Sequence, residues 1–308
     1  MKIKSLIIGG VIGDCLGVPV EFETRHVLKR DPVVDIKGFG THHQLPGTWS
    51  DDTSMSYALA ESILEGYDFF KLTNKFVDWY TKGLYTSSGK VFDIGITTSN
   101  ALKRYMMIKH KNCGGNSELE NGNGSLMRIS PLILLLKDLD INSRFELVKE
   151  VSSITHAHIR SVLSCFYFCE LMLEIYKGVD RFDAYNNVSE TFYSFMNEKN
   201  ISQIEKSNFD RLINDNIWEY PENEIKSTGY VIHTLEASLW SFYNNNNFID
   251  SVLTAVNLGD DTDTTGTVCG SISGLFFGFD SIPTEWINKV IKGNELLELS
   301  DKLEHKFK

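Results

Sequence analysis

Gly259-Asp260-Asp261-Thr262-Asp263-Thr264-Thr265-Gly266-Thr267-Val268-Cys269-Gly270-Ser271-Ile272-Ser273-Gly274 sets an acidic cluster at the head of a stretch with glycine at every fourth position, continued by Gly278. Residues four apart share one face of a helix, so the segment predicts a helix with a flat glycine ridge, opened by acids. The amino end repeats the device with Gly9, Gly13 and Gly17, and Gly10 beside them. Glycine inside a helix costs about 1 kcal/mol relative to alanine, and close backbone packing is the compensation such a ridge offers. Both ridges are therefore expected to be buried, at least one of them against another helix. Burial would bring the segments at their ends to the centre of the fold. The membrane form of this spacing is excluded by Asp14 and by the polar residues between the glycines.

Outward from these ridges, helical periodicity dominates. Met55, Leu59 and Ile63 form one apolar stripe and Phe166, Leu171 and Leu173 another. Further helices are expected near 68–80, 98–108, 143–153, 183–196, 229–243 and 283–292. Only Val33 to Phe39 alternates as a strand would, and briefly. Without a linker or repeat, residues 1–308 read as one multi-helix, all-α domain. At 42% hydrophobic and 23% charged residues the chain has the profile of a globular protein. Its net charge of −11 argues against a nucleic-acid partner, which needs clustered basic residues.

Lys2 and Lys4 precede an apolar run, but Asp14 interrupts it and no cleavage-site pattern follows, so a secretory signal is not expected. No stretch reads as a membrane span. Cys15, Cys113, Cys165, Cys169 and Cys269 are an odd set in mostly apolar surroundings, which suits free thiols in a reducing compartment. A cytoplasmic monomer is the expectation.

Two acidic clusters carry the chemistry. Ser50-Asp51-Asp52-Thr53 opens the helix running to about residue 64, and the Asp260–Thr265 segment opens the second glycine-ridged helix. Helix capping explains one such side chain, or two in a capping box. These clusters hold two and three carboxylates, a charge density that is unfavourable unless cations neutralise it. Hard oxygen ligands select Mg²⁺, Mn²⁺ or Ca²⁺ over zinc.

With these two motifs the chain resembles the ADP-ribosylglycohydrolase family. Other segments agree in order: Gly13-Asp14-Cys15-Leu16-Gly17-Val18-Pro19-Val20-Glu21-Phe22, Phe92-Asp93-Ile94-Gly95-Ile96-Thr97-Thr98, Asn121-Gly122-Asn123-Gly124-Ser125-Leu126-Met127-Arg128 and Ile154-Thr155-His156. The resemblance implies an all-α fold with two Mg²⁺ or Mn²⁺ ions in a central cleft, and hydrolysis of an ADP-ribosylated protein or small molecule to free ADP-ribose. It implies metal ligands Ser50, Asp51 and Asp52 from one side and Asp261, Asp263 and Thr264 from the other. Ser50 stands where the family often has threonine, and Asp260 where a second glycine is frequent.

The remaining candidates each have a plainer reading. His156 occupies the position of a family histidine near ADP-ribose; in isolation it would be a cap or surface residue. Asn123, Gly124 and Ser125 lie in a glycine-rich loop suited to a diphosphate, or form a simple turn. Tyr230 could stack on adenine or be a buried helical tyrosine. Glu21 is a candidate base or movable ligand, and Asp261 a metal-site carboxylate able to carry the proton. Asp93 stands where arginine-specific relatives carry an aspartate, which favours ADP-ribosylarginine over a serine linkage; the local sequence equally allows it to cap a helix beginning near Thr97.

Competing chemistries fail on spacing. His158 with Cys165 and Cys169 matches no zinc pattern. Phosphate-loop, Rossmann and esterase-elbow motifs are missing. Met55 breaks the Asp-Asp-x-x-Asp of isoprenoid synthases, and no His-Asp pair exists for a phosphohydrolase. The remaining rival is a non-catalytic ADP-ribose binder or structural relative, which intact acidic clusters disfavour.

Overall fold

The computed structural model describes residues 1–308. Helix α1 (Lys2–Gly17) and a short α2 (Arg25–Leu28) lead to α3 (Asp51–Glu65), α4 (Phe69–Lys82) and α5 (Ile96–Ile108). The middle of the chain holds α6 (Ile133–Leu136), α7 (Ile141–Ser152), α8 (Ile159–Lys177), α9 (Arg181–Glu198), α10 (Gln203–Ser207) and α11 (Asp210–Ile213). It closes with α12 (Val231–Tyr243), α13 (Phe248–Asn257), α14 (Thr262–Phe277), α15 (Thr284–Lys289) and α16 (Gly293–Lys306). No sheet forms. The alternation at Val33–Phe39 yields only an isolated bridge from Phe39 to Gln44. The helix expected over 283–292 stops at Lys289, because Val290 turns extended and Ile291 donates its N–H to Gly47 O at 2.9 Å.

The two glycine ridges pack against each other, and α1 against α14 is the most extensive helix contact in the molecule. A methyl group at Gly9 would lie 2.3 Å from Gly270 O, and one at Gly13 only 2.0 Å from Gly266 O. No side chain fits such a seam. Gly17 continues it to the start of α14, where an added methyl would meet Asp263 N at 2.3 Å. Gly278 departs from the expected ridge. It lies one residue past the helix with φ of 87°, and the space around its missing side chain is open, so it stops α14 and packs against nothing.

Helix α1 is apolar on all sides because it serves two cores. Ile3, Leu6 and Ile7 join the larger one with α3, α8 and α12, whereas Ile8, Ile12 and Leu16 join a smaller one with Phe248, Val252 and Trp286. By length and composition the segment Lys2–Val20 could cross a membrane, yet 89% of it is buried inside the protein. All five cysteines are buried and free. Ser50, Asp68, Asp140 and Asn247 cap their helices as their residue types predict.

Candidate dimetal active site

The α1–α14 seam ends in charge. Asp14, in the last turn of α1, is fully buried and reaches across to the start of α3. Its carboxylate accepts hydrogen bonds from Ser50 N at 3.0 Å, Thr53 N at 3.0 Å and Thr53 Oγ1 at 2.6 Å. Burial pushes its pKa up to about 6, and those donors hold it from rising further. Asp14 thus fixes the helix that carries Asp51 and Asp52. Sequence reasoning used it to argue against a membrane or secretory helix and quoted it within a family segment, but gave it no role in the site, although an acid among glycines in a buried helix was the available signal.

Opposite, Asp261 takes the N-cap position of α14 without capping it. Its Oδ2 accepts from Asn123 Nδ2 at 2.9 Å, and its own N–H donates to Ser227 O at 2.9 Å. Asp263 Oδ1 accepts from Thr264 N at 2.9 Å, and Thr264 Oγ1 donates to Asp52 Oδ1 at 3.3 Å, linking the two helix starts directly. The capping role at α3 belongs to Ser50, whose hydroxyl accepts from Asp52 N at 3.2 Å. Asp52 Oδ2, Asp261 Oδ1 and Asp263 Oδ2 are buried without any hydrogen-bond partner. Burial, reinforced by neighbouring carboxylates, drives Asp51, Asp52 and Asp263 well above the usual carboxylate range. An arrangement of this kind could hold a metal ion.

Above this floor opens a cleft of about 360 Å³. One wall is built from Gly122, Asn123, Gly124 and His156. Asn123 N donates to Gly229 O at 3.1 Å and Val231 N to Asn121 O at 3.0 Å, which ties the loop to the start of α12. Buried Arg128 clamps it from behind, donating to Gly124 O at 2.6 Å and Thr155 Oγ1 at 2.8 Å. His156 is buried against this clamp; burial and then the Arg128 charge push its pKa down to about 3, so it stays neutral. His158, not His156, caps α8. The uncapped first turn of α5, with Thr97 and Thr98, borders the same wall.

The other wall carries Glu21, Phe22 and Asp93. Glu21 is buried just after the turn that ends α1, and its carboxylate bonds the His42 ring. His42 Nε2 also lies 3.9 Å from Asp93 Oδ1. Asp93 caps nothing: α5 starts three residues later behind Gly95, with no side-chain cap. Burial, then the facing carboxylate of Glu21, pushes Asp93 up to about 8; burial, then Asp261, does the same to Glu21. Two facing carboxylates in a sheltered site cannot both ionise freely. Glu21 also shares a ligand-sized space with Asp261 and Asp263, all within 4.8 Å of one another. Sequence reasoning missed His42, whose surroundings carry no local motif.

Two of the expected substrate-binding residues do not line the cleft. Ser125 is fully buried away from the cleft, where its hydroxyl accepts from Ser152 Oγ at 3.0 Å; the loop turns after Gly124 and sends it into the core. Tyr230 does not line the cleft either. Its ring packs against His233 and Arg160, and its backbone pairs with Gly122. Ser50 lies off the cleft surface beneath Asp52. Asp260 adds no charge to the floor: its side chain is exposed, and its backbone is left-handed with φ of 59°, the conformation a glycine takes most readily.

Comparisons with known proteins agree with this geometry. The sequence profile described as ADP-ribosylglycohydrolase matches residues 1–308. The chain is 34% identical to ADP-ribosylarginine hydrolase Tri1 of Serratia proteamaculans (strain 568), covering 98% of this chain and 78% of that one. It is 26% identical to the ADP-ribosyl-(dinitrogen reductase) glycohydrolase of Rhodospirillum rubrum, covering 92% of this chain and 88% of that one. Among solved structures, a chain titled ADP-ribosylglycohydrolase-related protein complex superposes with a TM-score of 0.83 at 28% identity, covering 100% of this chain and 98% of that one.

Proposed function

The chain belongs to the ADP-ribosylglycohydrolase family, and on that premise we propose that it hydrolyses the N-glycosidic bond joining ADP-ribose to an arginine side chain. The observation that carries the arginine reading is Asp93, a carboxylate at the cleft mouth that caps no helix and faces Glu21. A guanidinium takes paired, charge-assisted hydrogen bonds from carboxylates. A serine linkage presents no such cation. The name of the Serratia relative supports the same choice.

The floor fits two divalent cations. An unpaired buried oxygen costs about 1–3 kcal/mol, more when charged, and three such carboxylate oxygens converge here from two helix starts. Asp51, Asp52, Asp261 and Asp263 would hold Mg²⁺ or Mn²⁺, with the Ser50 and Thr264 hydroxyls as further ligands. When bound, the cations would supply positive charge for the ribose hydroxyls and acidify a water.

The residues do the rest. The backbone N–H groups of Gly122 and Gly124 and the uncapped start of α5 suit a diphosphate. Neutral His156 adds a hydrogen bond without repelling or attracting charge. The positive charge of a bound guanidinium lets Asp93 and Glu21 both ionise: Asp93 holds the guanidinium, and Glu21 takes a proton from the attacking water; Asp261, oriented by Asn123, is the second carboxylate in reach. The water oxygen bonds to the anomeric carbon as the carbon–nitrogen bond breaks through an oxocarbenium-like state. The bond pair stays on the guanidine nitrogen, which collects the proton. ADP-ribose and unmodified arginine result.

Peptides carrying arginine-linked or serine-linked ADP-ribose, given side by side to wild type and Asp93→Asn, test this reading. Wild type should prefer arginine, and the asparagine variant should lose about ten-fold or more of that preference, as expected for a lost charge-assisted pair. EDTA should abolish activity and Mg²⁺ or Mn²⁺ restore it. Preference for the serine peptide by wild type would overturn the assignment.

A further inference from the structure

Phe22 is a bulky residue held in the left-handed region at φ of 67°, and it is 65% exposed at the cleft mouth. Residues of its type rarely adopt that conformation, and an exposed ring gains little from burial. Neither backbone preference nor packing explains it. The conformation is imposed by the metal-site loop: Phe22 N donates to Asp260 O at 2.7 Å, and Asp260 N donates to Glu23 O at 2.8 Å. The ring sits 6.1 Å from that of His42, which sits 5.3 Å from Phe92. This aromatic row stands beside the two carboxylates of the mouth, with His42 bonded to Glu21 and 3.9 Å from Asp93.

We propose that Phe22, with Asp93, forms an acceptor subsite for a planar cation, the ring covering the face of the guanidinium while the carboxylate binds its edge. The proposal rests on the arginine reading above. A guanidinium is planar and weakly hydrated, so it is bound best by an aromatic face combined with a carboxylate edge. This mouth holds both. The wall of Gly122–Gly124 and His156 carries no carboxylate to bind a cation's edge, which assigns that side to the diphosphate and nucleoside. Phe22 is therefore a specificity-determining residue for the leaving group, and the ADP-ribose half of the substrate does not depend on it.

The test uses the full-length enzyme with Mg²⁺ and compares wild type with Phe22→Ala, Phe22→Leu and Phe22→Tyr. Because Phe22 is exposed, all should fold. On the arginine-linked peptide kcat/KM should fall about ten-fold in the alanine variant, between the sizes of an exposed and of a fully desolvated cation–π contact, chiefly through KM. The tyrosine variant should stay near wild type and the leucine variant near alanine. Calorimetric affinity for free ADP-ribose, which lacks the acceptor, should be the same in all four. A leucine variant equal to wild type would reduce Phe22 to an apolar contact and overturn the proposal. Parallel loss of ADP-ribose affinity would overturn it by placing Phe22 on the nucleotide side. Failure of the underlying reading is separable, since it would show in wild type as preference for the serine-linked peptide.

Discussion

Along the middle of α1 and α14 two backbones touch with no side chain between them, and a turn further on the same two helices end in buried carboxylates. At the seam, a methyl at Gly270 would come within 2.2 Å of Gly9 O, so no volume is spare and the backbone groups are satisfied within their own helices. At the floor, Asp261 Oδ1 and Asp263 Oδ2 have no partner at all. One region is closed by geometry and the other is left open by charge. The seam therefore acts as a fixed spacer: it sets how far Asp14 and the α3 aspartates stand from those of α14. The floor is locally unfavourable while its buried carboxylate oxygens lack partners, and the tight seam beside it keeps the carboxylates from moving apart.

Overfilling the seam is the largest perturbation of that contrast. Gly270→Leu must displace backbone, and should cost more than the ~1–3 kcal/mol typical of overpacking, with Gly270→Ala next in severity. Thermal unfolding measures both; an unchanged midpoint in the leucine variant would show that the helices can separate and that the spacer is not rigid.

Relieving the floor should do the opposite to the metal-free protein. Asp52→Ala and Asp263→Ala each remove a buried oxygen that has no partner, so without metal their unfolding midpoints should equal or exceed that of wild type. Their Mn²⁺ affinity should fall by about ten-fold or more, given that each lost ligand removes a charged contact. Calorimetric titration reads the affinity. Unchanged binding in both variants would sink the ligand assignment.

A smaller effect appears with pH. Glu21 is pushed up to about 8 by burial and then the Asp261 charge, Asp93 to about 8 by burial and then the Glu21 charge, and Asp14 to about 6 by burial. Their folded pKa values lie above the unfolded carboxylate values of about 4, so the folded state binds more protons. The stability from this source is full below about pH 4 and is lost as pH rises towards 8. Chelator-treated protein should accordingly melt at a lower temperature at pH 8 than at pH 5, and saturating Mn²⁺ should flatten the slope. A midpoint that climbs with pH in chelator would contradict the raised pKa values.

Most of the longer helices, the glycine ridges and the two acidic helix starts were legible in the sequence, because each depends on residues within a few positions of one another; α13 and α16 were not anticipated. Spacing by four places Gly9, Gly13 and Gly17 on one face whatever surrounds them, and Ser50 caps α3 through Asp52, two residues away. The neighbouring motif also located Asp93 and Glu21. It could not tell whether Asp93 caps a helix or faces the cleft, since that depends on where α5 begins and on Glu21, which lies far away in the chain.

The sequence by itself determined an all-helical chain with two glycine-ridged helices and carboxylates gathered at two helix starts. Only the tertiary structure decided that the ridges seat on each other, that Asp14 anchors α3, and that His42 and Phe22 stand beside Asp93. It also turned Ser125 into the core and Tyr230 away from the cleft, against expectation. The physical reason is range. Helix periodicity and capping are set by neighbours along the chain, whereas burial and the sharing of a site by carboxylates from distant segments follow from how whole helices pack.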